Sequence, residues 1–515
     1  MHQSRWLWLG LGILLASVLA PGACLDRVWG ASLAASEIQV ASATRFELTF
    51  TEKVSAEPFT GRVLVFLGRS GEPRRGPNWF NPEPFFALDV KDWQPGTAIV
   101  LDHKAQGFPK PLDQLAEGSY RIQAVLDLDR GTHRVGTGPG NAHSAVVQAK
   151  LPPDDGAPIK LTIDQLIPER AFNENERVKL CELVSPSLSA FHKKPMKLRA
   201  GVVLPPSFHE QPGQRYPVIY DIPGFGGDHT FAFMYANRRA NVADGVEFLY
   251  VVLDPDCRTG HHVFADSENN GPYGTALVTE FIPHLEQAFR GLNQPSARFV
   301  TGHSSGGWSS LWLQVTYPNA FGGVWSTAPD PIDFRDFQRI NLYAPGANMF
   351  KDEAGQPRPL ARRGQTPVVF YRAFSDMERV LGRGGQLASF EAVFSPRMPN
   401  GQPRLLWDRD TGAVDPVTAK AWEKYDINLV LERNWSTLEP KLRGKLHVYM
   451  GELDTFYLEG ATIKVKETLA RLGSDAKVEI FPGKDHGSLL GRDLIQRMAK
   501  EMADQFRNHQ PREQP

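Results

Sequence analysis

One five-residue motif, Gly302-His303-Ser304-Ser305-Gly306, has the residue types of a nucleophile turn. The apolar segment 297–300 before it predicts a short buried strand, and the segment 307–315 after it predicts a helix. A tight strand-to-helix turn with small flanking residues exposes its central side chain above the end of a sheet. A serine displayed there is a nucleophile when a histidine and a carboxylate reach it. The sequence therefore predicts Ser304 as a nucleophile.

Further along the chain, a carboxylate and a histidine follow in the order typical of such sites. Segment 445–450 predicts a strand that runs into the turn of Asp454, and segment 477–481 predicts a strand that runs into the turn of His486. Open α/β sheets gather their sites at the carboxyl ends of their strands, so we expect these loops to meet. His486 would be the general base and acid, and Asp454 would orient the imidazole. Three other carboxylates stay open for that last role: Glu452, Asp485 and Asp330.

An acyl-transfer site also needs backbone donors for the developing oxyanion. The N–H of Ser305 is one donor by its position after the nucleophile. The second is expected from the glycine-rich segment Pro223–Gly227, which follows a predicted strand over 216–222. Phe225 is the candidate there, with Gly226 as the alternative. No Lys-Ser or Lys-Thr pair follows these glycines, which argues against a phosphate-binding loop.

Together these segments resemble the esterase D and feruloyl esterase branch of the α/β-hydrolase superfamily, which includes enterochelin-esterase-like enzymes and mycolyltransferases. The resemblance spans about residues 196–505. It is carried by 219–227, 277–286, 302–307 with 317–321, and 483–486. It implies an α/β-hydrolase fold and a serine esterase without metal or cofactor, with Ser304, Asp454 and His486 as its triad. Two positions depart from many relatives, which have His-Gly at Pro223-Gly224 and Met at Ser305.

Other residues are expected around the substrate. The loop beyond the predicted strand 246–253 would bring His262 and Phe264 to the pocket. Gly226 of the glycine-rich segment and Trp308 of the predicted helix are two further candidates for its lining. His261 and His262 lie close in sequence to two aspartates, Asp254 and Asp256. Their spacing fits no ligand motif, so no metal is expected.

The N-terminal part, about residues 37–150, has a different pattern. Short alternating segments such as 45–50 are separated by Gly/Pro turns, and 118–127 is typical of a sandwich strand entered through a tyrosine corner. We predict an Ig-like antiparallel β-sandwich there, then a linker and lead-in over 151–195 and the catalytic domain over 196–510. The β-sandwich would bind carbohydrate, contact another subunit, or brace the catalytic domain.

Residues 331–442 form an insertion between two core strands and are expected to make a lid over the site. Helical character is predicted over 419–431. Three arginines in the insertion would either meet an anionic substrate or form a solvated face: Arg358, Arg362 and Arg363.

The first 31 residues predict a signal peptide, because Arg5 precedes an apolar run over 6–20 and then small residues. That run is short for a membrane span. Cys24 leaves a lipoprotein open, and an uncleaved anchor is a further alternative. We expect a secreted or periplasmic protein with no stable membrane insertion after cleavage.

Composition limits the partners. With 57 Lys+Arg against 58 Asp+Glu, bulk charge gives no argument for nucleic acid or an anionic membrane surface. Cys181 and Cys257 would either pair or stay as two buried thiols, and neither has the C-x-x-C spacing of a metal or redox site.

The sequence thus predicts an exported serine hydrolase of carboxylic esters that acts on a small-molecule or carbohydrate ester. Acyl esters of carbohydrates or of siderophores are the classes that the resemblance implies. A serine peptidase or an acyltransferase would use the same triad. A non-catalytic binding or assembly protein that works through the β-sandwich is the alternative of a different class.

Overall fold

The computed structural model describes residues 44–129, 131–238 and 241–509. These residues belong to one compact unit, which contains two large sheets joined by helices and short ladders. The predicted signal peptide and Cys24 lie outside the described residues. None of the helices in the described ranges has the length and apolar character of a membrane span.

The N-terminal sheet has nine strands among the described residues, all antiparallel to their neighbours except one pair. Its strands are β1 (Phe46–Phe50), β2 (Phe59–Gly68), β3 (Phe85–Trp93), β4 (Ile99–Leu101), β5 (Gln106–Phe108), β6 (Gly118–Leu126), β7 (Ala142–Ser144), β8 (Val147–Leu151) and β9 (Ile159–Leu166). The parallel pair is β1 with β9. Strand β9 lies within the segment 151–195 that was predicted as linker, so part of that segment belongs to the N-terminal sheet. The strands are hydrogen-bonded in one sheet, and the predicted two-sheet sandwich is not confirmed. The Tyr120 hydroxyl donates to the Ala116 carbonyl at 2.8 Å, as a tyrosine corner does.

Strand β2 is buried on both faces over its second half. Val63 and Val65 point into the core of the N-terminal sheet. Leu64 and Phe66, on the alternate face, belong to the core that also contains Val218 of the second sheet. The N-terminal sheet is therefore packed against the rest of the molecule through one of its faces.

The second sheet has eight strands in the order β10-β11-β15-β12-β20-β21-β24-β25. They are β10 (Val178–Val184), β11 (Lys197–Val203), β12 (Val218–Ile222), β15 (Leu249–Leu253), β20 (Arg298–His303), β21 (Gly323–Thr327), β24 (Leu446–Gly451) and β25 (Lys477–Phe481). From β15 to β25 all neighbours are parallel, whereas β11 is antiparallel to both of its neighbours. Every residue of β12 and β15 is buried, as is typical of parallel strands covered on both faces. The predicted α/β class is confirmed.

Helices and short ladders connect these strands. The helices are α1 (Pro186–His192), α2 (Ala232–Asn237), α3 (Tyr273–Ala276), α4 (Ile282–Ala288), α5 (Ser305–Thr316), α6 (Tyr371–Leu381), α7 (Gln386–Phe394), α8 (Pro416–Trp422), α9 (Ile427–Leu442), α10 (Glu459–Arg471) and α11 (Arg492–Asn508). The ladders are β13 (Val242–Ala243) with β14 (Val246–Glu247), β16 (Asp256–Cys257) with β17 (Gly260–His261), β18 (Asp266–Ser267) with β19 (Gly271–Pro272), and β22 (Pro359–Arg363) with β23 (Thr366–Phe370).

Two local predictions have a clear outcome. The helical segment predicted over 419–431 is divided between α8 and α9, because the Asp426 side chain accepts the N–H of Leu429 and starts a new helix. Cys181 and Cys257 are both buried and unpaired.

Candidate active site

Ser304 occupies the sharp turn between β20 and α5, with φ 60° and ψ −124°. Such a conformation is uncommon for a residue with a side chain, and the backbone strain that it implies is often found at functional turns. The turn depends on its glycines: a Cβ on Gly306 would lie 1.8 Å from the carbonyl oxygen of Ile222, at the end of β12. Helix α5 can therefore begin directly against the sheet, and Ser304 is held at the sheet's carboxyl edge.

His486 and Asp454 lie beyond the ends of the last two strands and contact each other. Nδ1 of His486 is 2.7 Å from Oδ2 of Asp454, whose side chain is fully buried. The other carboxylate oxygen of Asp454 accepts the N–H of Phe456 at 2.8 Å. Its main-chain carbonyl accepts from Nε of Arg362 at 2.9 Å. Of the four carboxylates open for this role, Asp454 is the one that the structure places on the imidazole.

The charges around His486 favour its protonated form. Burial opposes the imidazolium, but the charge and hydrogen bond of Asp454, with the charges of Asp330 and Asp485, outweigh burial and raise the pKa of His486. The ring of His303 lies 4.5 Å from that of His486. Burial and the charge of His486 lower the pKa of His303 to about 3, so His303 stays neutral.

The segment Pro223–Gly227, which we call the oxyanion loop, lies beside the serine. A Cβ on Gly224 would be 3.2 Å from Cβ of Ser304. The loop turns tightly, because the N–H of Gly227 donates to the Gly224 carbonyl at 3.0 Å and Gly226 has φ +82°. The main-chain N–H groups of Phe225 and Ser305 donate to no residue in the described ranges. They are thus two backbone donors available beside the serine.

Two residues of the N-terminal sheet's 127–141 connection hold this loop. Arg134 donates from Nη2 to the carbonyl of Gly226 at 2.9 Å and pairs with Asp228 at 2.8 Å. The ring of His133 lies 4.9 Å from that of Phe225. The oxyanion loop is therefore supported from outside the second sheet, which carries Ser304 and which we call the catalytic sheet for its proposed role.

His261 and the two nearby aspartates, which were weighed as possible metal ligands in the sequence, bind other partners. Nδ1 of His261 accepts the N–H of the residue two positions on, so Nε2 carries the proton and donates to the Pro223 carbonyl at 2.9 Å. Burial lowers the pKa of His261 to about 4. Asp254 is paired with His229 at 2.7 Å, and Asp256 with a histidine of the N-terminal part at 2.6 Å. The described residues contain no group of three or more side chains placed to hold a metal ion.

A cavity of about 440 Å³ opens onto Ser304 and His486. Its walls are mostly apolar and come from the N-terminal part, the oxyanion loop, the insertion and the loop after β24. Tryptophan, phenylalanine and leucine side chains make up most of this lining: Trp79, Phe225, Phe231, Leu360, Phe374, Leu387, Phe390 and Phe456. Among these residues only Phe225 is a candidate site residue in the sequence, and there for its main-chain N–H. The others come from segments distant in sequence, and the adjacent aromatics Trp79-Phe80 in a Pro- and Asn-rich loop are the one signal that was present.

A second buried carboxylate borders the cavity. Asp330, 6% exposed, accepts from Oγ of Ser305 at 2.5 Å and from Nε2 of Gln386 at 3.4 Å. Burial raises the pKa of Asp330 to about 6, against the hydrogen bond from Ser305 and the charge of His486, which lower it. Oε1 of Gln386 is buried and has no partner among the described residues. Asp330 is thus bound to Ser305, the residue after Ser304, and is not the hydrogen-bond partner of His486.

Of the four residues predicted to line the pocket, the structure brings only Gly226 to it. His262 and Phe264 pack edge to face at 4.4 Å and are each 1% exposed. Trp308 stacks on Trp312 at 5.2 Å and is also 1% exposed. These three rings lie in the core instead, where burial of their apolar surface stabilises the fold.

The insertion supplies much of the cavity wall through residues such as Leu360 and Phe374. Of the three arginines considered in the sequence, two are buried on internal partners and one is exposed to solvent. Arg362 is 8% exposed and pairs with Glu459 at 2.7 Å. Arg358 is 9% exposed and donates to three main-chain carbonyls. Arg363 is exposed, with its guanidinium 5.9 Å from the ring centre of Phe80.

Comparison with known proteins agrees with the resemblance noted in the sequence. The family described as "Putative esterase" matches residues 192–486. No curated protein matches the chain at a significant level.

Similar solved structures include FphF, a fluorophosphonate-binding serine hydrolase of Staphylococcus aureus, at 15% identity over 63% of this chain and 97% of that one, with TM-score 0.39. An S-formylglutathione hydrolase of Agrobacterium tumefaciens is 14% identical over 65% and 97%, with TM-score 0.36. The ferulic acid esterase AmCE1/Fae1A of Anaeromyces mucronatus is 13% identical over 65% and 94%, with TM-score 0.33. Because the family match covers more than half of the chain, the protein belongs to this esterase family and is a carboxylic-ester hydrolase.

Proposed function

We propose that the protein is an exported serine esterase that hydrolyses carboxylic esters through an acyl-enzyme formed on Ser304. The observation that carries the proposal is the 2.7 Å contact of His486 with Asp454 at the cavity that also contains Ser304 in its strained turn. Export rests on the signal-peptide pattern of the first 31 residues, with lipidation at Cys24 as an alternative form.

The mechanism follows from the positions of these groups. Oγ of Ser304 attacks the ester carbonyl carbon while Nε2 of His486 takes the hydroxyl proton. Asp454 accepts the Nδ1–H of His486, which selects the reactive tautomer and stabilises the imidazolium. The negative charge that develops on the carbonyl oxygen is met by the N–H groups of Phe225 and Ser305.

The tetrahedral intermediate then collapses by breaking the bond to the leaving alcohol. His486 returns its proton to that oxygen, and the acyl group stays on Ser304 as an ester. A water molecule attacks this ester while His486 again takes a proton. The second collapse releases the carboxylic acid and returns the proton to Oγ of Ser304.

For the substrate we propose a small-molecule ester, with acyl esters of carbohydrates or of siderophores as the classes that the resemblance indicates. A cavity of about 440 Å³ is in the size range of small-molecule sites. No nucleic acid is proposed as a partner, because positive and negative side chains are nearly equal in number.

The test compares purified wild-type protein with Ser304→Ala on a panel of p-nitrophenyl esters and with a fluorophosphonate probe. We expect Ser304→Ala to lower kcat by at least about 10⁴-fold, because the nucleophile is removed. Mass spectrometry should find the probe on the peptide that contains Ser304. Ser119→Ala, an exposed serine of the N-terminal sheet, is the matched control and should leave turnover and labelling unchanged. Equal turnover by wild type and Ser304→Ala, with no labelling of Ser304, would refute the proposal.

A further inference from the structure

The cavity has one wall that comes from outside the catalytic sheet and its insertion. Trp79 lies in the loop between β2 and β3 and lines the cavity together with Ser304 and His486. The side-chain oxygen of Asn78 accepts the N–H groups of Phe80 and Asn81 at 2.9 and 3.2 Å. This turn fixes the loop locally and presents the half-buried indole of Trp79 to the cavity.

The indole joins the three other walls of the cavity. Its ring centre lies 5.7 Å from that of Phe225 in the oxyanion loop. It lies 5.1 Å from Phe374 of the insertion and 6.4 Å from Phe456 of the loop after β24, both edge to face. These are the distances and orientations of favourable aromatic pairs. Trp79 therefore closes the ring of apolar side chains around the cavity.

The sheet that presents Trp79 is itself held against the site. Leu64 and Phe66 of β2 belong to the core of the catalytic sheet. Arg134 binds the oxyanion loop through Gly226 and pairs with Asp228. The position of Trp79 relative to Ser304 is thus defined by packing and hydrogen bonds over a wide contact.

We propose that the N-terminal sheet is a working part of the active site, with Trp79 as the residue that selects esters carrying a bulky apolar group, such as an aryl ring. The inference rests on the proposed esterase function at Ser304. An aryl ring of the ester would bury apolar surface against the indole of Trp79, whereas a methyl group is too short to cover the indole. One methylene group more or less in an apolar pocket already changes selection by about 10- to 200-fold.

The test measures kcat/KM on three esters for full-length wild type and Trp79→Ala. Methyl acetate is small on both sides, methyl phenylacetate is bulky on the acyl side, and benzyl acetate is bulky on the alcohol side. We expect Trp79→Ala to lower the ratio of one bulky ester to methyl acetate by about 10- to 100-fold, mainly through KM. The ester whose ratio falls identifies the side of the ester that meets the indole.

Two variants guard against a general disturbance of the loop. Trp79→Phe keeps an aromatic ring and should retain an intermediate ratio. Phe80→Ala removes the neighbouring aromatic side chain, which does not line the cavity, and should keep both ratios at the wild-type value. Unchanged ratios in Trp79→Ala, or an equal fall in Phe80→Ala, would overturn the inference.

A binding measurement decides the inference even if the proposed function fails. Benzyl methyl ketone carries the benzyl group, the carbonyl and the methyl group that occur in both bulky esters, but it lacks the ester oxygen and so has no leaving alcohol. Calorimetry would compare its Kd for Ser304→Ala with its Kd for the double variant Ser304→Ala/Trp79→Ala. We expect about tenfold weaker binding by the double variant. Equal affinities, or no binding by either variant, would overturn the role of Trp79. Absence of ester turnover and of fluorophosphonate labelling in wild type would instead refute the esterase mechanism.

Discussion

At the proposed catalytic centre, His486 lies among three carboxylates that have different partners. Asp454 is bonded to its Nδ1, Asp330 is bonded to Ser305, and Asp485 is its neighbour in sequence. All three charges favour the imidazolium and raise the pKa of His486 above its ordinary value against the effect of burial. Because the histidine must be neutral to accept the serine proton, we expect activity to fall as pH drops through this raised pKa.

Replacing Asp330 with asparagine should move that pH dependence. The variant removes a negative charge that stabilises the imidazolium, so the pKa of His486 falls and the acidic limb of kcat/KM moves to lower pH. The amide can still accept from Oγ of Ser305. A pH profile of kcat/KM measures the shift. Asp336→Asn changes another partly buried aspartate, one that is not among the charges that raise the pKa of His486, and should leave the limb in place. A limb that stays put, or moves to higher pH, in Asp330→Asn would contradict this account.

The sequence predicts a site residue only where that residue lies in a loop directly after a recognisable strand. Ser304, Asp454 and His486 each follow a predicted strand, so their loops could be assigned to one sheet edge, and their catalytic roles remain predictions. Asp454 was the predicted partner of His486, but the sequence left Asp330 open as well, because the deciding 2.7 Å contact joins residues 32 positions apart. Trp79 was not predicted as a cavity residue: the adjacent aromatics Trp79-Phe80 were the only local signal, and its contacts join segments that are distant in sequence.

On the scale of elements, the oxyanion loop depends on supports that lie elsewhere in the chain. The carbonyl of Pro223 is bound by His261 from the loop beyond β15, and the carbonyl of Gly226 is bound by Arg134. When these carbonyls are fixed, the intervening peptide N–H of Phe225 is held in one orientation. A donor that is already oriented loses little free energy to reorganisation during the reaction.

We therefore expect Arg134→Ala to lower kcat by about tenfold, with a smaller change in KM, because the loop loses a hydrogen bond and its donor is less well oriented. The loss should stay below the ~10²–10³-fold effect of deleting an oxyanion donor outright. Arg134→Lys should recover part of kcat, since an ammonium group can still donate to Gly226. Arg69→Ala removes another arginine of the N-terminal sheet, one that binds the Ser119 carbonyl instead, and should leave both constants unchanged. A pure KM effect in Arg134→Ala would argue against positioning of the oxyanion loop.

Strands were predictable from the sequence where a short apolar or β-prone run lies between two turns. The strand over 477–481 agrees with β25, and β12 and β24 lie within or one residue beyond their predicted segments. β12 and β24 are buried throughout, as short apolar runs between turns predict, whereas in β25 only Val478 is buried and the signal was its β-prone residues. By contrast, β9 pairs in parallel with β1 across more than a hundred residues, and no local pattern reports that pairing.

For the molecule as a whole, the two sheets share apolar core and ion pairs. Helix α6 of the insertion packs against β3 and β5 of the N-terminal sheet. Phe85 and Phe108 from those strands belong to the same core as residues of the catalytic sheet. Two sequence regimes therefore fold into one compact unit, and we expect the sheets to unfold together.

Arg383, which follows α6, is the side chain best placed to test this coupling. Its Nη2 and Nε donate to the carboxylate of Asp127 at 2.6 and 3.0 Å, and its Nη1 donates to main-chain carbonyls of Thr132 and Arg258. The side chains of Arg383 and Asp127 are 15% and 8% exposed. Arg383→Ala leaves the carboxylate buried without its main partner, so we expect a loss of about 3–5 kcal/mol in the free energy of unfolding.

Urea denaturation followed by tryptophan fluorescence and by far-ultraviolet circular dichroism measures this effect. If the sheets unfold as one unit, Arg383→Ala lowers the midpoint of a single transition that both probes report, with the same slope as wild type. Arg433→Ala breaks a more exposed pair, with Glu423, and should shift the midpoint far less because solvent screens that pair. Separate transitions for the two probes would show that the N-terminal sheet unfolds independently. The wall that Trp79 forms would then be lost before the catalytic sheet unfolds, and selectivity for bulky esters should fall at lower urea concentrations than turnover of small ones.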